Sequence, residues 1–230
     1  MKKKNNKKSV FYTEEKIRKE MKARTNRVAD EICMGLKAIR KYPKSVTFFG
    51  SARLKPDHKY YKKAKSLGEK ISSLGYAVIT GGGPGIMQAG NEGSYEATGE
   101  GIGFNIELPF EQKANPYVTH NVDFHYFFTR KVSMTFSGEA YLYFPGGFGT
   151  LDEFFEIITL IQTKKIPKVP IILVGKDFWN PLIKYFEKTL LSPKFNTISK
   201  SDLKLFKILD DEDEILKIVK KAKLRKEYKN

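Results

Sequence analysis

The stretch from Ala140 to Ile161, AYLYFPGGFGTLDEFFEIITLI, sets an apolar run, a glycine-rich turn and an amphipathic segment end to end. In a strand–turn–helix unit of this kind the amides of Gly147, Gly149 and Thr150 converge at the helix N-terminus. Unpaired N–H groups and the helix dipole both favour an anion there. Glycine at Gly146, Gly147 and Gly149 lets a phosphate approach the backbone closely, because a Cβ would obstruct it. Thr150 suits either of two tasks, capping the helix or giving its hydroxyl to the same phosphate. Glu153, Glu156 and Thr159 follow three residues apart and share one side of the helix. Glu153 is expected in the first turn, as the capping-box partner of Thr150, as a carboxylate facing the sugar attached to a bound phosphate, or as both.

A second group lies in FFTRKVSMTFSGEA, where Arg130 and Lys131 are expected to open a short helix. Cations at a helix N-terminus oppose the dipole, a local conflict of the kind that marks sites; the alternative is a solvated basic pair. The glycine turn is not a Walker A loop, since no Lys-Ser/Thr pair closes it, and GSARLKPDH after the first apolar run fails the dinucleotide fingerprint. His58, His120 and His125 are scattered, so neither a metal nor a cofactor is expected.

The elements that position these groups alternate. After an N-terminal helical segment from about Thr13 to Lys41, short apolar runs (VTFFG, YAVITGGG, GIGFNI, VDFHYFF, AYLYFPGG, VPIILVG, LKLFKIL) are separated by amphipathic stretches. That pattern predicts an α/β chain: a Rossmann-like, doubly wound, mostly parallel sheet flanked by helices, with an N-terminal helical extension. Residues 1–43 read as a basic tail and helical extension and 44–230 as a single domain, because no linker divides the remainder and 230 residues suffice for one core. Ligands in such sheets bind beyond the strands' carboxyl ends. Four places stand there: Gly50 to Arg53, Gly81 to Gly85, Glu107 to Pro109, and Pro145 to Thr150.

Taken together, TGGGPGIMQAGNEG, TRKVSM and PGGFGTLDEFFEIIT resemble the LONELY GUY (LOG) family of cytokinin-activating phosphoribohydrolases, long mislabelled as lysine decarboxylases. GFNIELPFEQ and NPYVT resemble a bacterial subgroup with a longer N-terminus. The resemblance implies hydrolysis of the base–ribose bond of a nucleoside 5′-monophosphate, in a homodimer or an oligomer of dimers with the site near the subunit interface. By matching motif positions it implies catalytic roles for Arg130 and Glu153. Lys131, Met134, Gly146, Gly147, Gly149, Thr150 and Thr159 would line the nucleotide site. Ser51, Gly82 and Gly83 are assigned there from fold position. Gln88 and Asp152 depart from the plant-type pattern of Gly and Glu, and bear on base specificity, since neither replaces Arg130 or Glu153. The same fold in a carrier of nucleotide or molybdenum cofactor is the competing reading.

The net charge of +16 invites a nucleic-acid partner, yet much of the excess sits in the N-terminal lysine run and in KIVKKAKLRKEYKN at the end. Such ends are ordinarily solvated, and a positive field that speeds encounter with phosphorylated small molecules is the expectation instead. No apolar run reaches signal-peptide or bilayer-spanning length, and the single Cys33 forms no internal disulfide, so a cytoplasmic protein without a membrane partner is expected.

Overall fold

A computed structural model of the chain describes residues 12–108 and 113–225. The N-terminal lysine run, Pro109 and the last residues of the basic C-terminal stretch lie outside the described residues. Seven strands form one sheet: β1 (Ser45–Phe49), β2 (Ala77–Thr80), β3 (Gly101–Ile106), β4 (His120–Phe124), β5 (Ala140–Tyr143), β6 (Ile171–Val174) and β7 (Lys207–Leu209). Their order is β4-β3-β2-β1-β5-β6-β7, and every neighbouring pair is parallel. Between and around them run α1 (Glu14–Lys41), α2 (Lys59–Ser73), α3 (Ile86–Glu96), α4 (Phe127–Thr135), α5 (Phe148–Gln162), α6 (Lys176–Tyr185) and α7 (Glu212–Lys221). Among the described residues no helix is long and apolar enough to cross a membrane.

The central strands are buried along their whole length because both faces of the sheet are covered. Alternate residues serve the two faces. Val46, Phe48, Val78, Leu142, Phe144 and Ile172 pack with Tyr61, Leu67 and Ile71 of α2, Ile86 of α3 and Ile215 of α7. Phe49, Ile79, Phe104, Tyr141, Tyr143 and Leu173 face the opposite side, against Ile39 of α1, Met134 of α4, Phe154 and Ile157 of α5, and Trp179 of α6.

The chain order reverses at β1, which pairs β2 on one side and β5 on the other. Phe49 lies opposite Tyr143 in that register, and Ser51 N donates to Pro145 O at 3.0 Å, so the two following turns leave the sheet side by side. A crevice beyond the carboxyl ends of β1 and β5 is the consequence.

Two of the expected runs end differently. VDFHYFF is strand only as far as Phe124, and Phe127 already begins α4. The carboxylate of Glu31 on α1 takes the amides of His125 and Tyr126, both at 3.2 Å, and turns the end of an apolar run into a helix start. LKLFKIL yields strand only at Lys207–Leu209, because Asp202–Lys204 closes as a single turn of 3-10 helix.

Candidate active site

Gly147 is the N-cap of α5, in extended conformation, and the helix's first intrahelical bond runs from Leu151 N to Gly147 O at 3.1 Å. The N–H groups of Phe148, Gly149 and Thr150 therefore have no carbonyl within the helix to bond, and all three belong to its first turn. A Cβ at Gly147 or Gly149 would meet nothing within 4 Å, so both glycines face open space. One at Gly146 would overlap the Thr150 side chain, which folds back over the turn. This corrects the expected cap: Thr150 is the third helical residue, and Glu153 is the sixth, in the second turn. The capping box does not form, because the extended Gly147 lets the helix begin before Thr150 is reached.

Those amides open onto a cleft of about 810 Å³. Gly50, Ser51 and Arg53 line it from beyond β1, Gly81 and Met87 from beyond β2, and Ile106 and Leu108 from the end of β3. Phe127 and Arg130 enter from α4, and Gly147 through Glu153 from the start of α5. The lining combines apolar side chains (Met87, Ile106, Leu108, Phe127) with the turn and first residues of α5.

Arg130 and Glu153 meet inside it. Arg130 Nε donates to Phe104 O at 2.6 Å, and its Nη1 lies 3.8 Å from Glu153 Oε1. Gly81 makes room for this, since a Cβ there would overlap the guanidinium and sit 2.7 Å from Met87 Sδ. Both side chains are nearly removed from solvent, at 13% and 7% exposure, so the charges act on each other with little screening. Burial lowers the Arg130 pKa while Glu153 opposes the fall, and a guanidinium stays charged regardless. Glu153 is pushed up to about 7 by burial, against the pull of Arg130, with Glu156 adding to the rise and Lys131 reducing it. Its position in the second turn matters here, because dipole stabilisation fades beyond the first. Its Oε2 is buried with no hydrogen-bond partner among the described residues, an acceptor left unsatisfied beside the cleft.

Such a carboxyl carries a stability signature. Below its ordinary value of 4.5 it is neutral in folded and unfolded chains alike; between there and about 7 only the folded chain keeps the proton. The contribution is therefore fully present below the ordinary value and lost as pH rises through about 7, a difference of about 3 kcal/mol. Glu153→Gln stays neutral throughout, so it is expected to melt above the wild type at about pH 8 and level with it near pH 4.5. Equal melting temperatures at both pH values would show that the carboxylate is not held against its charge.

The remaining expected residues divide. Ser51 lines the cleft, and its Oγ accepts from Arg53 N at 3.1 Å. Lys131 stands beside it, bound to Asp152 at 2.8 Å and Glu156 at 3.2 Å. Gly82 and Gly83 do not line it: Asn115 Nδ2 binds their carbonyls at 3.0 and 3.1 Å, and Gly82 has φ +72°. Met134 is fully buried in the core. Thr159 is exposed two turns beyond Thr150 on α5 and lies off the cleft of the single chain. Gly81, Met87 and Phe127 were not assigned to the site by sequence reasoning, although each lies within a stretch that was read, and Gly81 opens one of the four strand-end places. Arg53 sat in a noted strand-end turn without being assigned. Among the described residues no group of three His, Cys, Asp or Glu is arranged to hold a metal.

The family described as "Possible lysine decarboxylase" matches residues 87–219, more than half the chain, including both the Arg130 and the Glu153 segments. The chain belongs to this family, the LONELY GUY (LOG) family. A cytokinin riboside 5′-monophosphate phosphoribohydrolase of Rhodococcoides fascians is 29% identical over 151 residues, 64% of this chain and 76% of that protein. One from Arabidopsis thaliana is 27% identical over 156 residues, 65% of this chain and 70% of that protein. Among solved structures, the molybdenum cofactor carrier protein of Chlamydomonas reinhardtii matches with a TM-score of 0.56 at 21% identity, covering 78% of this chain and 98% of that one. The molybdenum cofactor binding protein of Rippkaea orientalis matches with the same score and identity over 76% and 93%. At that identity these two speak for the Rossmann-like fold alone.

Proposed function

We propose that this LOG-family chain is a nucleoside 5′-monophosphate phosphoribohydrolase, splitting the N-glycosidic bond with water to give a free base and ribose 5-phosphate. The observation that carries the reading is the buried pair of Arg130 and Glu153, with the Glu153 Oε2 unpartnered, one helical turn from the free amides at Gly149 and Thr150. The phosphate binds those amides and the helix dipole. That places the anomeric carbon near Glu153 and the base toward Met87, Ile106 and Phe127. As the bond breaks, positive charge develops on the ribose ring, and the Glu153 carboxylate stabilises it and orients the attacking water. Water's hydroxyl goes to the anomeric carbon and its proton leaves with the base. Arg130 positions the phosphoribosyl group or the departing base by charge-assisted hydrogen bonds.

Ser51, Lys131, Gly146, Gly147, Gly149 and Thr150 serve the nucleotide in this reading, and Gly82, Gly83 and Met134 support it from behind. Thr159 joins the site only if a second subunit completes it. We accordingly propose a homodimer or an oligomer of dimers; exposed Phe127, Phe128 and Phe148 around the cleft form the kind of apolar surface that subunit contacts cover. We take residues 44–230 as the catalytic domain and 1–43 as its basic tail and helical extension. The exposed free thiol of Cys33 suits a reducing compartment, and we place the enzyme in the cytoplasm.

The test is chromatographic. AMP and isopentenyl-AMP incubated with the full chain are expected to yield adenine or isopentenyladenine together with ribose 5-phosphate. Tight binding of either monophosphate without any base release would favour the carrier reading, for which a buried Glu153 has no evident use.

A further inference from the structure

We propose that Glu31, on α1, is a positioning residue that fixes Arg130 by capping α4 from a separate helix; the proposal rests on the hydrolase reading above. α4 has no acidic residue in its first turn, and its N-cap Tyr126 makes no side-chain cap bond. It nevertheless carries Arg130 near its N-terminus, where a cation opposes the dipole. The missing negative charge comes from elsewhere in the chain. Glu31 is buried, and its carboxylate accepts from His125 N and Tyr126 N, each at 3.2 Å, and from Thr129 Oγ1 at 2.6 Å. Arg27, one turn earlier on α1, adds a fourth donor at 3.3 Å. Burial works against the charge of Glu31, yet the Thr129 hydroxyl, the two amides and Arg27 outweigh it and hold the carboxyl below its usual range.

The connection to Arg130 is short. Tyr126, whose amide Glu31 holds, gives its carbonyl to Arg130 N at 3.3 Å, the first bond of α4. Gly35, one turn beyond Glu31, lets α1 lie against α4: a Cβ there would be 2.6 Å from Ser133 Cβ. The guanidinium is then threaded past Gly81 to the Phe104 carbonyl, a seat that tolerates little movement of its helix. Loss of the Glu31 charge frees the first turn of α4, and a displacement of about 1 Å at a catalytic group lowers turnover by as much as ~100-fold.

The experiment compares full-length wild type, Glu31→Gln and Thr129→Val in base release from whichever of AMP and isopentenyl-AMP the wild type cleaves, between about pH 5 and about pH 9. Glu31→Gln is expected to lower kcat about tenfold with KM within about twofold, and Thr129→Val to lower it less. The acid limb of the rate profile should also move up in pH, because Arg130 withdraws from Glu153. The other charged groups facing Glu153, which are Lys131 on α4 and Asp152 and Glu156 on α5, are untouched by either substitution. A merely structural Glu31 would change the melting temperature and leave kcat per folded molecule and the acid limb where they were; that result in both variants overturns the proposal. Should Glu31→Gln fail to fold, Thr129→Val decides by the same readouts. A wild type that releases no base removes the hydrolase reading and this role together, whereas an active wild type with indifferent variants removes this role alone.

Discussion

Glu153→Gln is expected to lower kcat by about a thousand-fold while leaving KM within a few-fold of the wild type. The substitution keeps the shape of the side chain and its place on α5, so the amides at Phe148, Gly149 and Thr150 still hold the phosphate, and ground-state binding survives. The loss is a negative charge beside a ribose ring that becomes positive only as the bond breaks, and an interaction confined to that moment appears in kcat. Wild-type turnover should rise with pH through about 7, where the Glu153 carboxyl ionises, and the variant should lack that limb. Together with the melting behaviour at high pH, this gives one substitution two opposite effects: a more stable protein and a nearly inactive one. A variant that kept more than about a tenth of the wild-type rate would remove Glu153 from the chemistry.

Alternation of apolar runs and helices was enough to foresee the parallel doubly wound sheet, because strands covered on both faces leave a continuous apolar signal, as in VTFFG and VPIILVG. Arg130 and Glu153 were singled out for different reasons: Arg130 is a cation at an expected helix start, which stability alone does not explain, and the motifs that resemble the LOG family give both residues their expected roles. The T-x-x-E pattern at Thr150 misled, since a capping box can be written in sequence and still not form when a glycine before it adopts the cap position. Gly82 and Gly83 were chosen by fold position, but the positive φ of Gly82 turns the loop toward Asn105 and Asn115 and leaves Gly81 to face the cleft. Glu31 was beyond reach. Its bond to Thr129 joins residues 98 positions apart, and nothing in the local pattern of α1 distinguishes that carboxylate from its exposed neighbours Glu14, Glu15 and Glu20.

Arg130→Ala should reduce kcat by about a hundred-fold or more and should also shift what remains toward higher pH. The first effect follows from the loss of the donor that positions the reacting group, the second from the loss of the nearest positive charge to Glu153. With Arg130 gone, burial acts on that carboxyl with less to oppose it, so its pKa rises further above about 7 and a smaller share is ionised at neutral pH. Arg130→Lys separates the two contributions. It keeps a positive charge near Glu153, but a single ammonium cannot both bind the Phe104 carbonyl as Nε does and present a planar fork to the site. The lysine variant is therefore expected to keep the acid limb near the wild-type position while recovering only part of the rate. Steady-state kinetics of the three proteins across the pH range decide the matter. An alanine variant within about tenfold of wild type, with an unmoved acid limb, would mean that the pairing of Arg130 with Glu153 belongs to the packing of α4 on α5 and not to the reaction.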